Sequence, residues 1–397
     1  MPLHTYDVIV LGLGAMGSAA LYQLAKRGVR VLGIDRFTPP HRFGSSHGDT
    51  RITRQAIGEG DEYVPLVLRS HEIWRELEAT TGMSLLSETG GLILSSNPDA
   101  RHHGAPFFEQ TVGAAQRFGI EHALLTPADV RRRFPQFSVS NDTRAYFEPG
   151  AGFVRPELCV EAQLDVAKTL SAEVHVGETV LEYNAGTTSV TVRTDRGTYE
   201  AGQLVVTAGP WLPALLGEPY RDLFRVYRQV LYWFDADLTR FAEDSPIFIW
   251  ELGANPDDLI YGFPPVDGPT GGFKVAADDF SRPLNPSESA LEPASAAEGA
   301  AMYGRYVAPN ISGARPAVLR SEPCMYTLTP DYRFVIDDVP GQPNVLFASA
   351  CSGHGFKHSA AIGETLAEIA TVGSSAIDIS AFRLSRLMPG LNSMSGP

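Results

Sequence analysis

A glycine-rich motif near the start of the chain has the spacing of a dinucleotide-binding turn. Gly12, Gly14 and Gly17 form G-x-G-x-x-G. The first glycine permits a tight turn, the second lets a pyrophosphate approach the backbone, and the third lets a helix pack close to a strand. Asp35 lies 23 residues after Gly12, where its carboxylate can accept hydrogen bonds from a ribose. These residues indicate a dinucleotide ligand, and their spacing alone does not choose between NAD and FAD.

The residues around this motif predict the elements that such a turn needs. Residues 8–11 are apolar and β-branched, which favours a buried parallel strand, and residues 29–34 predict a second strand that ends at Asp35. Between them, residues 19–26 show a helical pattern that Gly28 ends. The predicted unit is therefore βαβ, with the positive N-terminus of its helix where a pyrophosphate would bind.

A second polar segment, residues 44–54, ends in two arginines. Its first residues are too small and polar for a core element, so they predict a loop whose backbone approaches a ligand. Arg51 and Arg54 would share one face if a helix began near Thr50. Two interpretations stay open from the residues alone. One is a solvated basic turn, and the other is a contact with an anion or a flavin, since a guanidinium binds a carboxylate through two hydrogen bonds.

A glycine-rich loop late in the chain precedes a predicted helix. Residues 352–357 read Ser-Gly-His-Gly-Phe-Lys, after a predicted strand at 345–348 and before a predicted helix at 359–371. Such a loop points backbone N–H groups and the positive helix end at whatever lies there. It is therefore suited to stabilise negative charge, such as that of a reduced flavin ring.

The remaining elements predict two domains, of which the nucleotide-binding one is discontinuous. Residues 204–208 form a second buried strand far from the first βαβ unit. Strands of a different sheet are predicted at 227–235, 247–251 and 259–263, with a helical stretch at 287–301. We expect a Rossmann-like α/β domain made of residues 1–84, 143–218 and 320–397. We expect an α+β domain with a large mixed or antiparallel sheet from residues 85–142 and 219–319.

Composition excludes several classes of partner. The 397 residues carry a net charge of −14, which argues against nucleic acid and anionic membranes, since both attract basic surfaces. No apolar run approaches the length of a membrane span, and we find no signal peptide. Three cysteines without a C-x-x-C pair fit a reducing cytoplasm. Cys159 falls on a predicted helix and is interpreted as a packing residue. We predict no metal site.

Several longer motifs, in order along the chain, identify a family. They are GSSHGDTRITR at Gly44, YGFP at Tyr261, CMYT at Cys324, FVIDDVPG at Phe334 and SGHGFK at Ser352. The chain resembles the monomeric sarcosine oxidase and N-methyltryptophan oxidase group of flavoprotein amine oxidases, which have the D-amino-acid-oxidase fold. The resemblance implies a glutathione-reductase-type FAD-binding domain and a monomer. It also implies oxidation of a secondary amino acid to an imine that hydrolyses, with O2 reduced to hydrogen peroxide.

The resemblance also implies roles for single residues. Cys324 matches the cysteine that binds FAD covalently through its 8α carbon, and Lys274 matches a lysine at the flavin face that promotes the reaction with O2. Arg54 and Lys357 match the pair that holds the substrate carboxylate. The other candidates for catalysis or substrate binding are Arg51, His354, Tyr326, Asp278, Tyr261 and Trp250. The residues expected to contact the cofactor are Gly12, Gly14, Ala15, Met16, Gly17, Asp35, Arg36, His47, Thr50, Arg51, Val180, Ala208, Gly209, Cys324, Gly353, Gly355 and Lys357.

Some positions depart from the family pattern and concern the substrate. Asp278 stands where the family has a histidine, four residues after Lys274, and Ser46 replaces the first of two adjacent histidines. Ile249 and Trp250 stand in the strand expected to line the pocket, which indicates a rebuilt side-chain pocket. An acid near the amine can bind a cationic substrate or act as a base. We also expect Asp278 to raise the pKa of Lys274 by charge attraction.

Other functions stay open from the sequence. Within the flavoenzymes, the substrate could be a cyclic imino acid such as proline or pipecolate, or a fructosyl amino acid. Outside them, an NAD-dependent dehydrogenase and a flavin-binding protein without turnover are alternatives. The CMYT and SGHGFK motifs argue against the dehydrogenase, and the presence of both Lys274 and Arg54 argues against a non-catalytic protein.

Overall fold

The computed structural model describes residues 4–102, 105–241, 245–255, 258–287 and 291–388. The strands are β1 (His4–Leu11), β2 (Val31–Asp35), β3 (Arg51–Thr53), β4 (Leu86–Ser87), β5 (Gly91–Ser95), β6 (Ala123–Leu125), β7 (Arg144–Glu148), β8 (Gly152–Val154), β9 (Glu173–Val176), β10 (Val180–Ala185), β11 (Val190–Thr194), β12 (Thr198–Val206), β13 (Arg225–Ala236), β14 (Ile247–Glu251), β15 (Leu259–Phe263), β16 (Phe273–Ala277), β17 (Ala314–Leu328), β18 (Val335–Val339) and β19 (Gln342–Ser349). The α-helices are α1 (Ala15–Lys26), α2 (Val64–Thr81), α3 (Phe107–Phe118), α4 (Pro127–Arg133), α5 (Pro156–Thr169), α6 (Leu212–Leu216), α7 (Ala296–Met302), α8 (Ala308–Asn310) and α9 (Ser359–Val372).

The first sheet contains the predicted βαβ unit. Its order is β10-β11-β12-β1-β2-β9, and β19 lies beside β12 with β18 next to it. The strands β19, β12, β1, β2 and β9 run parallel, while β10, β11 and β18 run antiparallel to their neighbours. Helices α1 and α9 approach closely because Gly363 has no side chain. A Cβ at this position would lie 2.3 Å from the Ala19 Cβ. The predicted Rossmann-like domain is confirmed.

The second sheet is large and mixed, as predicted. Its order is β17-β13-β16-β15-β14-β5-β7-β6, in which β14 and β5 are parallel and the other neighbours are antiparallel. Side chains alternate between its faces. One face carries an apolar cluster that includes Phe248, Trp250 and Phe273. The other carries a cluster that includes Trp233, Cys324 and Tyr326, and this face turns towards the site described below.

Three local predictions differ from the structure. Residues 51–53 form β3, which pairs with β8 and β4 in a small sheet, so no helix begins near Thr50. The strands β7 and β17 belong to the second sheet, although the boundaries predicted at 143 and 320 assign residues 144–148 and 320–328 to the nucleotide-binding domain. Of the helix predicted at 287–301, only the last part is helical, as α7 (Ala296–Met302). Residues 288–290 lie outside the described residues.

The length and the apolar character of the helices bear on whether one could span a membrane. None that the structure describes combines the length and the apolar character that crossing a bilayer demands.

Candidate active site

A cavity of about 400 Å³ begins at the glycine motif and reaches the loop before α9. Most of the residues predicted to contact the cofactor line it, namely Gly12, Gly14, Ala15, Met16, Asp35, Arg36, Arg51, Val180, Ala208, Gly209, Gly353 and Gly355. Its far end is formed by Tyr326, Cys351 and His354. The cavity therefore joins residues that the chain separates by more than 300 positions.

The glycine turn is built so that no side chain obstructs this cavity. Gly12 has a φ of 86°, and a Cβ there would lie 2.7 Å from the carbonyl oxygen of Thr207. A Cβ on Gly17 would lie 1.7 Å from the Gly12 carbonyl oxygen, so Gly17 lets the helix pack against the turn. Gly17 does not line the cavity. Asp35 accepts hydrogen bonds from the backbone N–H groups of Leu13 and Phe37, both at 2.7 Å. These features fit the ADP half of a dinucleotide.

A smaller cavity of about 80 Å³ adjoins the far end of the first one, and the two share Arg51, Tyr326, Gly353 and His354. It brings together all five catalytic candidates and three of the four substrate-binding candidates. Those residues are Lys274, Arg51, His354, Tyr326, Asp278, Arg54, Lys357 and Tyr261. Thr50 lines it too. The smaller cavity is therefore the candidate substrate site.

Arg54, Glu59 and Lys357 form a buried charged group in this cavity. The Arg54 guanidinium contacts the Glu59 carboxylate at 2.5 Å, and the Lys357 ammonium lies 4.0 Å from the same carboxylate. Burial would raise the pKa of Glu59, but Arg54 and Lys357 outweigh it and hold that pKa well below its usual range. Burial lowers the pKa of Lys357 to about 7, although Glu59 opposes this. Two cations around one carboxylate make a site suited to an anionic group.

Lys274 is held differently. Its ammonium donates hydrogen bonds to the carbonyl oxygens of Gly48 at 2.6 Å and Thr50 at 2.7 Å, and to the Thr50 hydroxyl at 2.9 Å. The ammonium also lies 4.5 Å from the ring centre of Phe263. Burial lowers the pKa of Lys274 well below its usual value, and Arg51 lowers it further. The three oxygen acceptors oppose this effect because they bind the charged form.

Asp278 is buried and lines the same cavity as the two tyrosines and the charged group. Burial raises the pKa of Asp278 to about 7, and the neighbouring Glu59 raises it further. Tyr261 and Tyr326 share a hydrogen bond of 2.6 Å between their hydroxyl oxygens. The expectation that Asp278 raises the pKa of Lys274 is wrong, because that pKa is lowered and the charges that raise it in part are those of Asp49, Glu157 and Cys324. Asp278 is therefore a titratable group of the substrate region.

Trp250 does not line the substrate cavity, contrary to the prediction. It lies on the opposite face of β14, where its Nε1 donates a hydrogen bond of 2.8 Å to Ser96 Oγ and its ring contacts Phe137. Ile249 lines the cavity instead. Adjacent residues of a strand point to opposite faces, so only one of the two can reach the pocket.

Other predicted cofactor contacts lie apart from the large cavity. Cys324 is fully buried with Tyr326 and Cys351, and burial raises the pKa of its thiol to about 11 while Arg51 opposes this. His47 is buried with its Nδ1 3.3 Å from Glu322 Oε2. Thr50 and Lys357 line the substrate cavity, as described above.

Sequence reasoning missed several residues that the structure places in or near the site. Glu59 and His102 both line the substrate cavity, and burial lowers the pKa of His102 to about 4. The scarcity of lysine is a signal only for the two buried lysines, which were predicted, since only four of the 32 basic residues are lysines: Lys26, Lys168, Lys274 and Lys357. The first two are about half exposed and the last two are buried.

Comparisons with known proteins agree with this geometry. Residues 7–369 match the DAO family, described as FAD dependent oxidoreductase. A monomeric sarcosine oxidase of Streptomyces avermitilis is 39% identical over 96% of this chain and 98% of the relative. An N-methyl-L-tryptophan oxidase of Yersinia pestis is 36% identical over 96% of this chain and 99% of the relative.

Solved structures of an amino acid oxidase and of a dehydrogenase share the fold of this chain. NikD, an unusual amino acid oxidase essential for nikkomycin biosynthesis, superposes with a TM-score of 0.82 at 26% identity, covering 96% of this chain and 97% of its own. The L-proline dehydrogenase of P. horikoshii shares the fold, with a TM-score of 0.79 at 20% identity over 98% and 99% of the two chains. The chain belongs to the DAO family of FAD-dependent oxidoreductases, together with the monomeric sarcosine oxidases and the N-methyl-L-tryptophan oxidases.

Proposed function

We propose that the protein oxidises a small secondary amino acid, such as sarcosine, to an imine that hydrolyses, and passes the electrons to O2 as hydrogen peroxide. The observation that carries this proposal is the small cavity at the end of the cofactor cavity. It contains a cationic pair, Arg54 and Lys357, for a carboxylate, and a separate buried lysine, Lys274. The names and identities of the relatives support the same reaction.

Bound FAD would supply a hydride acceptor for the carbon beside the amine nitrogen and a route for the electrons to O2. The protein's own residues bind and orient the substrate. Arg54 already donates from Nη1 to the Ala56 carbonyl oxygen and from Nη2 to Glu59, so it offers its remaining N–H groups to the carboxylate, and Lys357 offers a point charge. The amine must be neutral to lose hydride, and Asp278 is a suitable proton acceptor because its pKa is about 7. Lys274 supplies a fixed positive charge where O2 is reduced.

The size of the cavity favours small substrates. A volume of about 80 Å³ is well below the roughly 300 Å³ at the small end of typical ligand pockets. Phe107, Ile249 and Leu259 form its apolar wall. This favours sarcosine or a small cyclic imino acid such as proline over a fructosyl amino acid or an indole side chain.

A peroxide-coupled screen tests the proposal. Purified enzyme would be given N-methyl, cyclic and primary amino acids, N-methyltryptophan and fructosyl glycine, with NAD reduction followed in parallel. We expect peroxide from sarcosine or a cyclic imino acid, and little from the two large substrates. Turnover only of a primary or a large amine would contradict the proposed substrate class. Peroxide from none of them would indicate a flavin-binding protein without turnover, and NAD reduction would indicate a dehydrogenase.

We also propose that FAD is attached covalently to Cys324. The CMYT motif and the burial of Cys324 beside Tyr326, a residue of both cavities, support this. A thiolate is the nucleophile for such a bond, and Arg51 opposes the effect of burial on the Cys324 pKa.

Denaturation in acid distinguishes the covalent from the free cofactor, and Cys351 gives a matched control because it lines the cofactor cavity. We expect the yellow colour to precipitate with the wild-type protein and with Cys351→Ser, and to remain in solution with Cys324→Ser. Free flavin from the wild type would refute covalent attachment. Free flavin from Cys351→Ser alone would move the bond to Cys351.

We further propose a cytoplasmic monomer. The name of the relatives and the low cysteine count support this. Sedimentation of the holoenzyme at micromolar concentration would test the monomer.

A further inference from the structure

A three-residue turn, residues 48–50, supplies the three oxygen atoms that hold Lys274. The Gly48 and Thr50 carbonyl oxygens flank Asp49, and both accept hydrogen bonds from the Lys274 ammonium. Gly48 has a φ of 101° and Asp49 a φ of 66°, so both residues adopt the left-handed conformation. Residues other than glycine uncommonly adopt that conformation, although aspartate does so more often than most. The turn therefore needs contacts that hold it in place.

Glu157 provides such contacts from a neighbouring helix. Its Oε1 accepts hydrogen bonds from the backbone N–H of Gly48 at 2.6 Å and of Asp49 at 3.2 Å. Glu157 is the second residue of α5, and it lines a surface depression outside the substrate cavity. Hydrogen bonds from N–H groups to a carboxylate are stronger than those between neutral groups.

The outer side of the same turn is held by an ion pair. The Asp49 carboxylate contacts the Arg320 guanidinium, whose central carbon lies 3.8 Å from the ring centre of Trp233. The Lys274 ammonium lies 5.2 Å from the same ring. Trp233 thus connects the surface ion pair with the buried lysine, and the turn lies between Glu157 and Lys274.

We propose that Glu157 is a positioning residue for Lys274, because its carboxylate holds the turn of residues 48–50 so that the turn's carbonyl oxygens bind the Lys274 ammonium. This inference rests on the proposed role of Lys274 in the reaction with O2. It assigns a function to a residue that touches neither cavity of the active site.

Electrostatics supports the geometric argument. The charged or titratable groups that act on Lys274 are Arg51 in β3, Asp49 in the turn, Glu157 in α5 and Cys324 in β17. Burial and Arg51 lower the Lys274 pKa, whereas Asp49, Glu157 and Cys324 raise it. Glu157 therefore favours the charged form of the lysine that it also positions.

Two substitutions separate the positioning role from the charge. Glu157→Gln keeps an oxygen acceptor for the turn and removes the charge, whereas Glu157→Ala removes both. Glu161→Gln is the matched control, because Glu161 lies one turn later on α5, is exposed, and loses the same charge. Holoenzyme labelled with ¹³C-lysine would show one set of signals from each of only four lysines.

The readouts are the pH titration of the Lys274 signal and the rate at which O2 reoxidises the flavin. Dithionite reduces the flavin for this assay, so no amine substrate is needed and a wrong substrate assignment leaves the test intact. We expect Glu157→Gln to move the Lys274 titration to lower pH by about one unit. We expect Glu157→Ala to change the Lys274 chemical shift and to slow reoxidation at least about tenfold.

Lys357 serves as an internal reference, and its titration should stay unchanged in both variants and in Glu161→Gln. If Glu157→Gln leaves the Lys274 titration at its wild-type position, the electrostatic support from Glu157 is overturned. An unchanged Lys274 signal and O2 rate in Glu157→Ala would overturn the inference itself. If Glu157→Ala does not fold, Glu157→Asp takes its place, because the shorter side chain keeps the charge and withdraws the carboxylate from the turn, and an unchanged Lys274 signal and O2 rate in that variant would overturn the inference.

Discussion

Lys274 and Lys357 are two buried lysines of one small cavity, and they differ in what holds their ammonium groups. Lys274 contacts three oxygen atoms, which matches the three N–H donors of an ammonium. Lys357 makes one hydrogen bond of 2.7 Å, to the His354 carbonyl oxygen, and lies 4.0 Å from Glu59. No charged group acts on both lysines among those identified above, since Arg51, Asp49 and Glu157 surround one, and Glu59 and Arg54 the other.

This difference suggests two roles: Lys274 is a fixed charge, held by the protein alone, and Lys357 is a binding charge, available to the substrate. A saturated ammonium has no donor left for a substrate, so Lys274 acts through its electric field. Lys357 has donors left for an incoming carboxylate, and its pKa of about 7 makes this binding sensitive to pH. The proposed division assigns the O2 step to the side of Lys274 and substrate binding to the side of Lys357.

Removing the fixed charge should produce the largest effect. In Lys274→Met, we expect reoxidation by O2 to slow by about 10²–10³-fold, the usual loss when one group that stabilises developing negative charge is removed. Anaerobic reduction by the substrate should change little. Stopped-flow measurement of both half-reactions checks this. Equal slowing of the two half-reactions would contradict the assignment of Lys274 to the O2 step alone.

Asp278 sharpens the comparison because it titrates in the substrate region. Ionised Asp278 can accept a proton from the amine, so we expect the limiting rate of wild-type reduction to rise with pH through about 7. Asp278→Asn should abolish this rise and lower the rate at pH 8 by about 10²-fold. Reoxidation by O2 should be unaffected. Rapid-reaction pH profiles at saturating substrate would show a retained rise if the assignment is wrong.

The sequence predicts the nucleotide-binding half of the site well because that half is local. Gly12, Gly14, Gly17 and Asp35 all belong to one βαβ unit, in which spacing along the chain determines spacing in space. Cys324, Lys274, Arg54 and Lys357 were assigned from longer motifs by resemblance. Lys274, Arg54 and Lys357 line one cavity, and this could not be derived from periodicity, since they come from β16, from the segment after β3 and from the turn before α9.

The errors arise from strand geometry and from distant contacts. Asp278 follows Lys274 by four residues, but consecutive strand residues are about 3.3 Å apart, so the two backbones are separated by about 13 Å. Trp250 and Ile249 were both assigned to the pocket, although alternation allows only one. Glu59 and Glu157 lie outside the motifs, and they act through contacts with Arg54 and Gly48 of the motif that begins at Gly44.

Removing the binding charge should have a smaller effect than removing the fixed one, because Arg54 remains. In Lys357→Met, we expect the substrate dissociation constant to rise by roughly 10–30-fold, as for one charge-assisted hydrogen bond. In the wild type, substrate affinity should fall as pH rises above about 7, because the Lys357 ammonium loses its proton there. The variant should lose this dependence. Anaerobic titrations between pH 6 and 9 would reveal it, and slower reoxidation by O2 would contradict the division.

The smallest effects should come from the two faces of β14. Trp250→Phe removes a hydrogen bond to Ser96 in the outer core, so we expect a loss of about 1 kcal/mol in stability and unchanged kinetics. Ile249→Ala, on the cavity side, should enlarge the substrate pocket and raise turnover of N-ethylglycine relative to sarcosine a few-fold, with an unchanged O2 step. Thermal melts and substrate ratios measure the two changes. An altered substrate ratio in Trp250→Phe would show that Trp250 affects the substrate pocket. Side-chain specificity could then not be assigned to Ile249 alone.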